Sequence, residues 1–134
     1  MQRTMWRDGR AALLGAITLC LFHVPRLGAM EFLGQAGVLG EWELTGNLTE
    51  SESGPRKEFS GPLKMKHVGF CTQDGPEERA GEIRLQLAGP ELQVTAELVL
   101  DGARCTYSAR KTHAYEGTLS CEGRAPVPLL VWLK

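Results

Sequence analysis

The sequence predicts an all-β protein, a small antiparallel meander β-barrel of seven or eight strands that follows a cleaved signal peptide. Three observations support this prediction. An apolar run follows arginines at the N-terminus, the rest of the chain alternates between apolar and polar residues, and Gly, Pro, Asn and Asp separate the alternating runs. The chain has 134 residues, which is enough for one domain.

The N-terminal segment has the order of a secretory signal. Arg3, Arg7 and Arg10 precede an apolar run of 14 residues at positions 11–24. A transmembrane helix needs about 20 apolar residues, so this run is short for a membrane span. The segment therefore predicts export rather than permanent insertion in a membrane.

We place the cleavage after Ala29, so that residues 1–29 are the signal peptide and residues 30–134 are the single barrel domain. The exact bond stays open, because Leu27 is larger than the residue usually found three positions from the end of a signal. An uncleaved signal anchor is the alternative. A lipid anchor on Cys20 is disfavoured, since a leucine precedes that cysteine.

The charge of the predicted mature domain limits its partners. Taking four of the 15 basic residues and one of the 16 acidic residues away with the signal leaves 11 and 15, a net charge of −4. Nucleic acids and anionic membranes bind basic surfaces, so neither is an expected partner. The chain should meet a membrane only through its signal segment, and we expect a periplasmic or secreted protein, with a bacterial source favoured.

The mature chain contains seven predicted strands, which lie at 42–48, 63–66, 83–87, 92–101, 104–110, 116–122 and 127–133. An eighth strand is expected if the stretch around Phe59 contributes one. Residues 49–62 and 72–80 are rich in polar and acidic residues and are expected to form loops. Since no helix is predicted to cover the sheet, it should close on itself, with the last strand pairing beside the strand around Trp42.

Turn residues predict the pairing of the central strands. Asp101-Gly102 is typical of a two-residue hairpin turn, and folding there places Leu98 opposite Cys105. Gly89-Pro90 is predicted to make a similar turn, which places Leu87 opposite Leu92.

A third hairpin, centred on His113, places Cys105 opposite Cys121. In all three hairpins the apolar residues face the same side of the sheet, as a buried face requires. The register therefore favours a Cys105–Cys121 disulfide. A bridge from Cys71 to one of these two remains open, and one cysteine of the three is left over.

The sequence holds no recognisable catalytic, nucleotide-binding or phosphate-binding motif, so we expect no enzyme activity and no cofactor. His67, Cys71 and His113 are residue types that bind zinc or copper, but their spacing is not diagnostic. The acidic residues of 74–78 match no calcium loop. No metal site is therefore predicted.

The last predicted strand is apolar on both faces. If one face lies in the barrel, Leu130 and Trp132 are left on the other. An apolar patch of this kind indicates either an interaction surface or contact with the N-terminal arm, residues 30–39.

The segment Leu39-Gly40-Glu41-Trp42-Glu43-Leu44 resembles the G-x-W start of lipocalin-like barrels. It is also similar to the opening strand of small bacterial periplasmic inhibitors of secreted metalloproteases, the AprI/Inh type. That resemblance implies a short, filled barrel whose N-terminal arm enters the protease cleft.

We therefore expect an exported, non-enzymatic binding protein with a protein partner, and more specifically an inhibitor of a secreted hydrolase. A lipocalin-like carrier of a small apolar ligand and a structural envelope protein are the alternatives. Strands of about seven residues favour an interior filled by side chains, which favours recognition at the surface over carriage inside.

Overall fold

The computed structural model describes residues 28–51, 55–69 and 75–134, which form strands and turns and no helix. Residues 1–27, which are nearly all of the predicted signal peptide, and Cys71 lie outside the described residues. The signal peptide therefore stays a prediction. The strands are β1 (Ala29–Ala36), β2 (Trp42–Ser51), β3 (Lys57–His67), β4 (Glu78–Ala88), β5 (Gln93–Leu100), β6 (Ala103–Lys111), β7 (Tyr115–Cys121) and β8 (Val127–Leu133).

The eight strands form a closed antiparallel meander. Each strand pairs with the next along the chain, and β1 pairs with β8 to close the barrel. The predicted fold class is confirmed, with eight strands rather than seven.

The eighth strand is not the one that the sequence predicted. Phe59 belongs to β3, which runs without interruption to His67, and the additional strand is β1, formed by the N-terminal arm. The prediction of a loop over 49–62 was wrong for both of its ends, because β2 continues to Ser51 and β3 begins at Lys57. Glu58 and Ser60 lie on the outer face of β3, whereas Glu50 lies opposite the buried Phe59 on the inner face, so the polar composition obscured the strand pattern.

The predicted loop over 72–80 was likewise wrong at its end, since β4 begins at Glu78. The prediction that the last strand seals the barrel against the strand around Trp42 was also wrong. β1 lies between them, with Phe32 opposite Leu133 on one side and opposite Gly46 on the other. Gly34 and Ala36 share the inner face of β1 with Phe32, and such small residues gave that strand only a weak apolar pattern.

Two of the three predicted hairpins are confirmed in detail. Leu98 lies opposite Cys105, and Cys105 lies opposite Cys121. Asp101 and Gly102 have φ angles of 51° and 78°, as expected of a turn with positive φ at both central residues.

The β4–β5 hairpin is displaced by two residues from its prediction. Leu87 lies opposite Val94, so the connection contains four residues, 89–92, and Leu92 is 56% exposed. A shift of two residues leaves every side chain on its predicted face, so the apolar pattern does not distinguish the two registers. A residue that is not part of this hairpin stabilises the wider turn, since the hydroxyl of Tyr115 in β7 donates to the carbonyl of Glu91 (2.6 Å).

The interior is filled by side chains from all eight strands, and within the described residues none of the buried ones is charged. The largest fully buried side chains are Phe32, Leu44, Leu48, Leu63, Leu85, Leu98, Leu129, Val94 and Val131. The expectation of a filled barrel therefore agrees with the described interior.

The Tyr107 hydroxyl is a polar group inside this core. It shares its single proton between the carbonyl oxygens of Tyr115 (2.9 Å) and Leu129 (3.2 Å), and so connects β6 to β7 and β8. Burial, with a smaller contribution from Tyr115, raises the pKa of Tyr107 well above its usual value. The phenol is therefore a fixed donor at neutral pH.

The Cys105–Cys121 disulfide is present and joins residues that already lie opposite each other in β6 and β7, with their Cα atoms 4.0 Å apart. It closes a short segment, since the two cysteines are 16 residues apart. A loop of this length contributes about 3 kcal/mol in the chain-entropy description.

We predict that Tyr107→Phe lowers the free energy of unfolding by about 1–3 kcal/mol, because two buried carbonyls lose their donor. Urea unfolding at neutral pH measures the change. Tyr115→Phe is the matched control and should cost less, since its hydroxyl bond is only partly buried. Equal effects of the two substitutions would contradict this role of Tyr107.

The same tyrosine predicts the response to alkali. Folded Tyr107 holds its proton more tightly than an unfolded tyrosine, whose pKa is about 10. Its contribution to stability is therefore complete below about pH 10 and is lost as the pH rises further. Tyr107→Phe should lose less stability than the unaltered protein over that range.

We predict that the double substitution Cys105→Ala/Cys121→Ala lowers the free energy of unfolding by about 3 kcal/mol and leaves the β-sheet circular dichroism unchanged. Cys71→Ala is the control and should leave the Cys105–Cys121 disulfide intact. Peptide mapping under non-reducing conditions that placed Cys71 in the bridge would contradict the assignment.

Candidate functional site

The two ends of the barrel differ in what they carry. We call the end that holds the β1–β2, β5–β6 and β7–β8 turns and the β3–β4 connection the open end. Ala29 and Lys134 lie at the opposite, far end, where the backbone of Lys134 bonds to that of Glu31.

A pocket of about 160 Å³ enters the barrel at the open end. Its apolar lining includes Trp42, Met65, Leu100, Leu119 and Val127, and its charged lining consists of Glu41, Arg79, Asp101 and Arg124. Sites for small organic ligands usually occupy about 300–1,000 Å³. This pocket therefore has room for a single apolar side chain rather than for a carried ligand.

A wider groove of about 1060 Å³ crosses the outer face of β3 to β7. It is more open than the pocket, and side chains of alternating charge line it, among them Glu82, Arg84, Glu97 and Arg104. Its lining is also partly apolar, but Val99 is the only large apolar side chain of that lining that is exposed. The open end has more exposed apolar side chains beside a more enclosed pocket, so we regard it as the better candidate site.

Arg79 forms one wall of the pocket and is held from three sides. Its guanidinium contacts the Glu77 carboxylate at 2.6 Å and the Asp101 carboxylate at 3.5 Å. Its Cζ atom lies 5.4 Å from the centre of the Trp42 ring, within reach of a cation–π interaction. The hydrogen bonds that Arg79 donates to the Glu77 carboxylate, reinforced by the charge of Glu77, raise the pKa of Arg79. The charge of Arg79 is thus balanced by two carboxylates, and its guanidinium is held in one position. It forms part of the pocket wall and is not a free cation that could bind an anion.

Trp42 and His67 lie opposite each other on β2 and β3. Their rings pack edge to face, with centres 4.6 Å apart and planes at 67°. Arg79, Trp42 and His67 therefore form a continuous row of ring and guanidinium contacts across three neighbouring strands.

The β1–β2 turn projects two apolar side chains beside the pocket. We call residues 37–40 the hairpin tip. Val38 is 83% exposed and Leu39 is 91% exposed. Gly37 and Gly40, with φ angles of 100° and 64°, enclose the pair, and the Gly40 amide donates to the Gly37 carbonyl (3.2 Å).

Glu41 fixes the hairpin tip in place. Its carboxylate accepts a hydrogen bond from the Leu39 amide (2.9 Å), and its carbonyl accepts one from the Val68 amide (2.8 Å). The Gly37 amide donates to the carbonyl of Pro128 (2.9 Å). The tip is therefore attached to the starts of β2 and β8 and to the end of β3.

The predicted site residues fall in several places. Cys121, bonded to Cys105, lines the pocket. Leu130 and Trp132 lie on the outer face of β8 and are half-buried, with Leu33 of β1 opposite Trp132. The N-terminal arm therefore pairs beside β8 as a barrel strand instead of lying over its outer face. It also does not project from the barrel as the resemblance to the protease inhibitors implies, because both of its edges are paired. The role of Leu130 and Trp132 as an interaction surface stays a prediction.

The candidate metal ligands are not brought together. His67 ends β3 at the open end, whereas His113 lies in the β6–β7 turn at the far end. Cys71 lies outside the described residues, and Glu77 is engaged by Arg79. In the described ranges no group of three or more His, Cys, Asp or Glu residues is placed to hold a metal ion.

Sequence reasoning missed the hairpin tip, although a signal for it existed. Val38 and Leu39 are two large aliphatic residues between glycines, in a position where the turn itself needs neither side chain. Two adjacent large aliphatic residues at a turn form a small apolar patch, which is a signal of an interaction surface. The arrangement of Arg79 had no such signal, because it depends on contacts between β2, β4 and the β5–β6 turn.

We predict that Glu41→Ala loosens the hairpin tip, because the Leu39 amide loses its acceptor. An exposed bond of about 0.5–1.5 kcal/mol corresponds to a roughly 2- to 10-fold faster exchange of the Leu39 amide with solvent. Amide exchange followed by NMR measures this rate. Glu41→Gln, which keeps a side-chain oxygen, is the control, and equal exchange in the two variants would contradict the assignment.

No protein-family model, curated protein or solved structure matches this chain. Across residues 28–51, 55–69 and 75–134, no helix is long and apolar enough to span a membrane. What the structure shows is therefore the architecture, an eight-stranded antiparallel β-barrel closed between β1 and β8.

Proposed function

We propose that this chain is an exported, non-enzymatic binding protein that recognises a protein partner through the open end of its barrel. One observation carries the proposal. Of the five large apolar side chains that are exposed within the described residues, three lie at this end, namely Val38, Leu39 and Val68. Burying such a side chain stabilises a complex by about 1.5–3 kcal/mol before the costs of association.

The rigid attachment of the tip adds to this argument. A loop that is already ordered loses little conformational entropy when it binds. The bonds from Glu41, Gly37 and Gly40 provide that order in the free protein. Leu130 and Trp132 offer less, since both are already half-buried on the outer face of β8.

The small pocket and the filled interior support recognition at the surface over carriage of a ligand. A carrier needs an internal cavity of at least about 300 Å³, and the pocket at the open end has about half that volume, 160 Å³. The disulfide is compatible with an extracytoplasmic location, where such bonds form and persist.

In its more specific form, we propose that the partner is a secreted hydrolase and that binding inhibits it. The support is the resemblance of the segment around Trp42 to small periplasmic protease inhibitors, together with the export predicted by the N-terminus. A closed barrel held by a disulfide also suits a protein that meets proteases, because it has no unpaired strand that can open easily.

Site-specific photocrosslinking in the exporting cell tests the proposal. A photoreactive residue at position 38 or 68 should form an adduct with one protein other than this chain, identified by mass spectrometry. Ser108 and Thr118, exposed on the outer faces of β6 and β7, are the control positions and should form none.

An adduct from position 132 alone would place the contact on β8 and contradict the use of the open end. The absence of a non-self adduct from every position would contradict a protein-binding function. A set of adducts as strong from positions 108 and 118 would show that the contact is unspecific.

A further inference from the structure

We propose that the Cys105–Cys121 disulfide is a thiol-exchange site that is open from one side only. A low-molecular-weight thiol such as glutathione attacks the sulfur of Cys121, which gives a mixed disulfide on Cys121 and a free thiol on Cys105. This modification site goes beyond the proposed function, because it needs no protein partner.

The first argument is the direction of the attack. In thiol–disulfide exchange a thiolate attacks one sulfur of the bond and displaces the other. The attack is in line with the bond, so the thiolate approaches from the side opposite the sulfur that leaves. The sulfur–sulfur bond here runs from β6 to β7, because Cys105 and Cys121 lie opposite each other. Attack on Cys121 therefore comes from the β8 side, and attack on Cys105 would come from the β5 side.

These two sides differ in what they hold. On the β5 side Leu98 lies opposite Cys105, and each of these residues is only 2% exposed. On the β8 side the ladder between β7 and β8 ends at the pair Leu119 and Val127, two residues before Cys121. The approach to the Cys105 sulfur is therefore filled by a core leucine, whereas the approach to the Cys121 sulfur lies beyond the end of the paired strands.

The open side of Cys121 also has room for a thiol. Residues 122–126, which form the β7–β8 turn, are all exposed, and Cys121 itself is only partly buried. Cys121, Ala125 and Val127 share the wall of the pocket of about 160 Å³. This volume corresponds to roughly five water molecules at about 30 Å³ each, which is enough for the CH₂–SH end of a small thiol.

The leaving sulfur has an acceptor for its proton. The electron pair of the broken bond stays on Cys105, which takes up a proton equivalent to the one that the attacking thiol released to water. The Sγ atom of Cys105 lies 3.8 Å from the carbonyl oxygen of Ala103, so the new S–H group can donate there. One sulfur–sulfur bond breaks and one forms, so the step needs no reactant other than the thiol.

The barrel does not depend on this bond to keep β6 and β7 together. The two strands pair from Cys105 and Cys121 onwards through backbone hydrogen bonds. On the other side of the disulfide, the Glu122 amide donates to the carbonyl of Arg104 (3.0 Å). Exchange therefore changes the wall of the pocket and leaves the sheet closed.

Mapping of glutathione adducts by mass spectrometry tests this inference. The chain carries Cys20→Ala and Cys71→Ala, so that the two bridged cysteines are the only ones left of four. The folded protein is treated with about 5 mM reduced glutathione, quenched with acid and digested. The adduct should lie on Cys121 at least 10-fold more often than on Cys105, and this preference should disappear in about 8 M urea, where both sulfurs are accessible.

Single-cysteine variants of the same chain give a second measurement. Cys105→Ala leaves the thiol of Cys121, which should react with oxidised glutathione at least 10-fold faster than the thiol of Cys105 that remains in Cys121→Ala. The two variants are matched controls for each other, and both should react at the same rate in urea. The adduct map of the disulfide-bonded chain does not depend on whether these variants fold.

Added bulk tests the direction of approach. Ala125→Phe enlarges a residue on the pocket wall where the thiol enters, and it should slow the reduction of the folded protein at least 5-fold. Ser120→Phe is the control, because it adds the same bulk on the exposed outer face of β7 and should leave the rate unchanged.

Adducts that fall equally on the two cysteines, or mainly on Cys105, overturn the inference. A disulfide that resists glutathione in the folded protein and is reduced readily in urea overturns it as well, and so does equal reduction of Ala125→Phe and Ser120→Phe. These results are separate from the crosslinking experiment, because no second protein takes part in them.

Discussion

The insertion of β1 between β8 and β2 is the interaction on which the rest of the structure depends. Without it, β2 and β8 would each present an unpaired edge, and the apolar inner face would remain open to water. With it, Phe32 is enclosed in the core and Ala29, where β1 begins, lies at the far end, where Glu31 and Lys134 exchange backbone hydrogen bonds. The same insertion creates the β1–β2 turn, which carries the exposed hairpin tip and is attached to β8 through Pro128.

Because side chains fill the interior of the barrel, only its surface is available for binding other molecules. Leucine and valine side chains occupy the barrel, Tyr107 ties three strands together with one hydroxyl, and the disulfide joins strands that are already paired. What remains for recognition is the open end, where Arg79 and Trp42 form a rigid wall beside the apolar tip. The proposed partner contact uses this combination of an ordered wall and an exposed aliphatic pair.

The sequence predicted those parts of the fold that local pattern and turn residues determine. The hairpins at Asp101-Gly102 and His113 followed from them, and the second gave the disulfide. The β4–β5 register could not be predicted, because a slip of two residues leaves every side chain on the same face of the sheet. The wider turn is stabilised by a hydrogen bond from Tyr115, which is distant in sequence. β1 was not predicted, because the small residues on its inner face give only a weak apolar pattern. The open end could not be predicted either, because residues from separate strands form its wall and pocket.

The most direct test of this account is the exchange of backbone amides with solvent, measured by NMR for every strand. If β1 closes the barrel, its amides that bond to β2 and β8 can open only when the whole domain unfolds. The account predicts that they exchange as slowly as the core amides of β5 and β6. Exchange of the β1 amides at rates orders of magnitude faster, while β5 and β6 stay protected, would show a loosely docked arm and contradict the closed barrel.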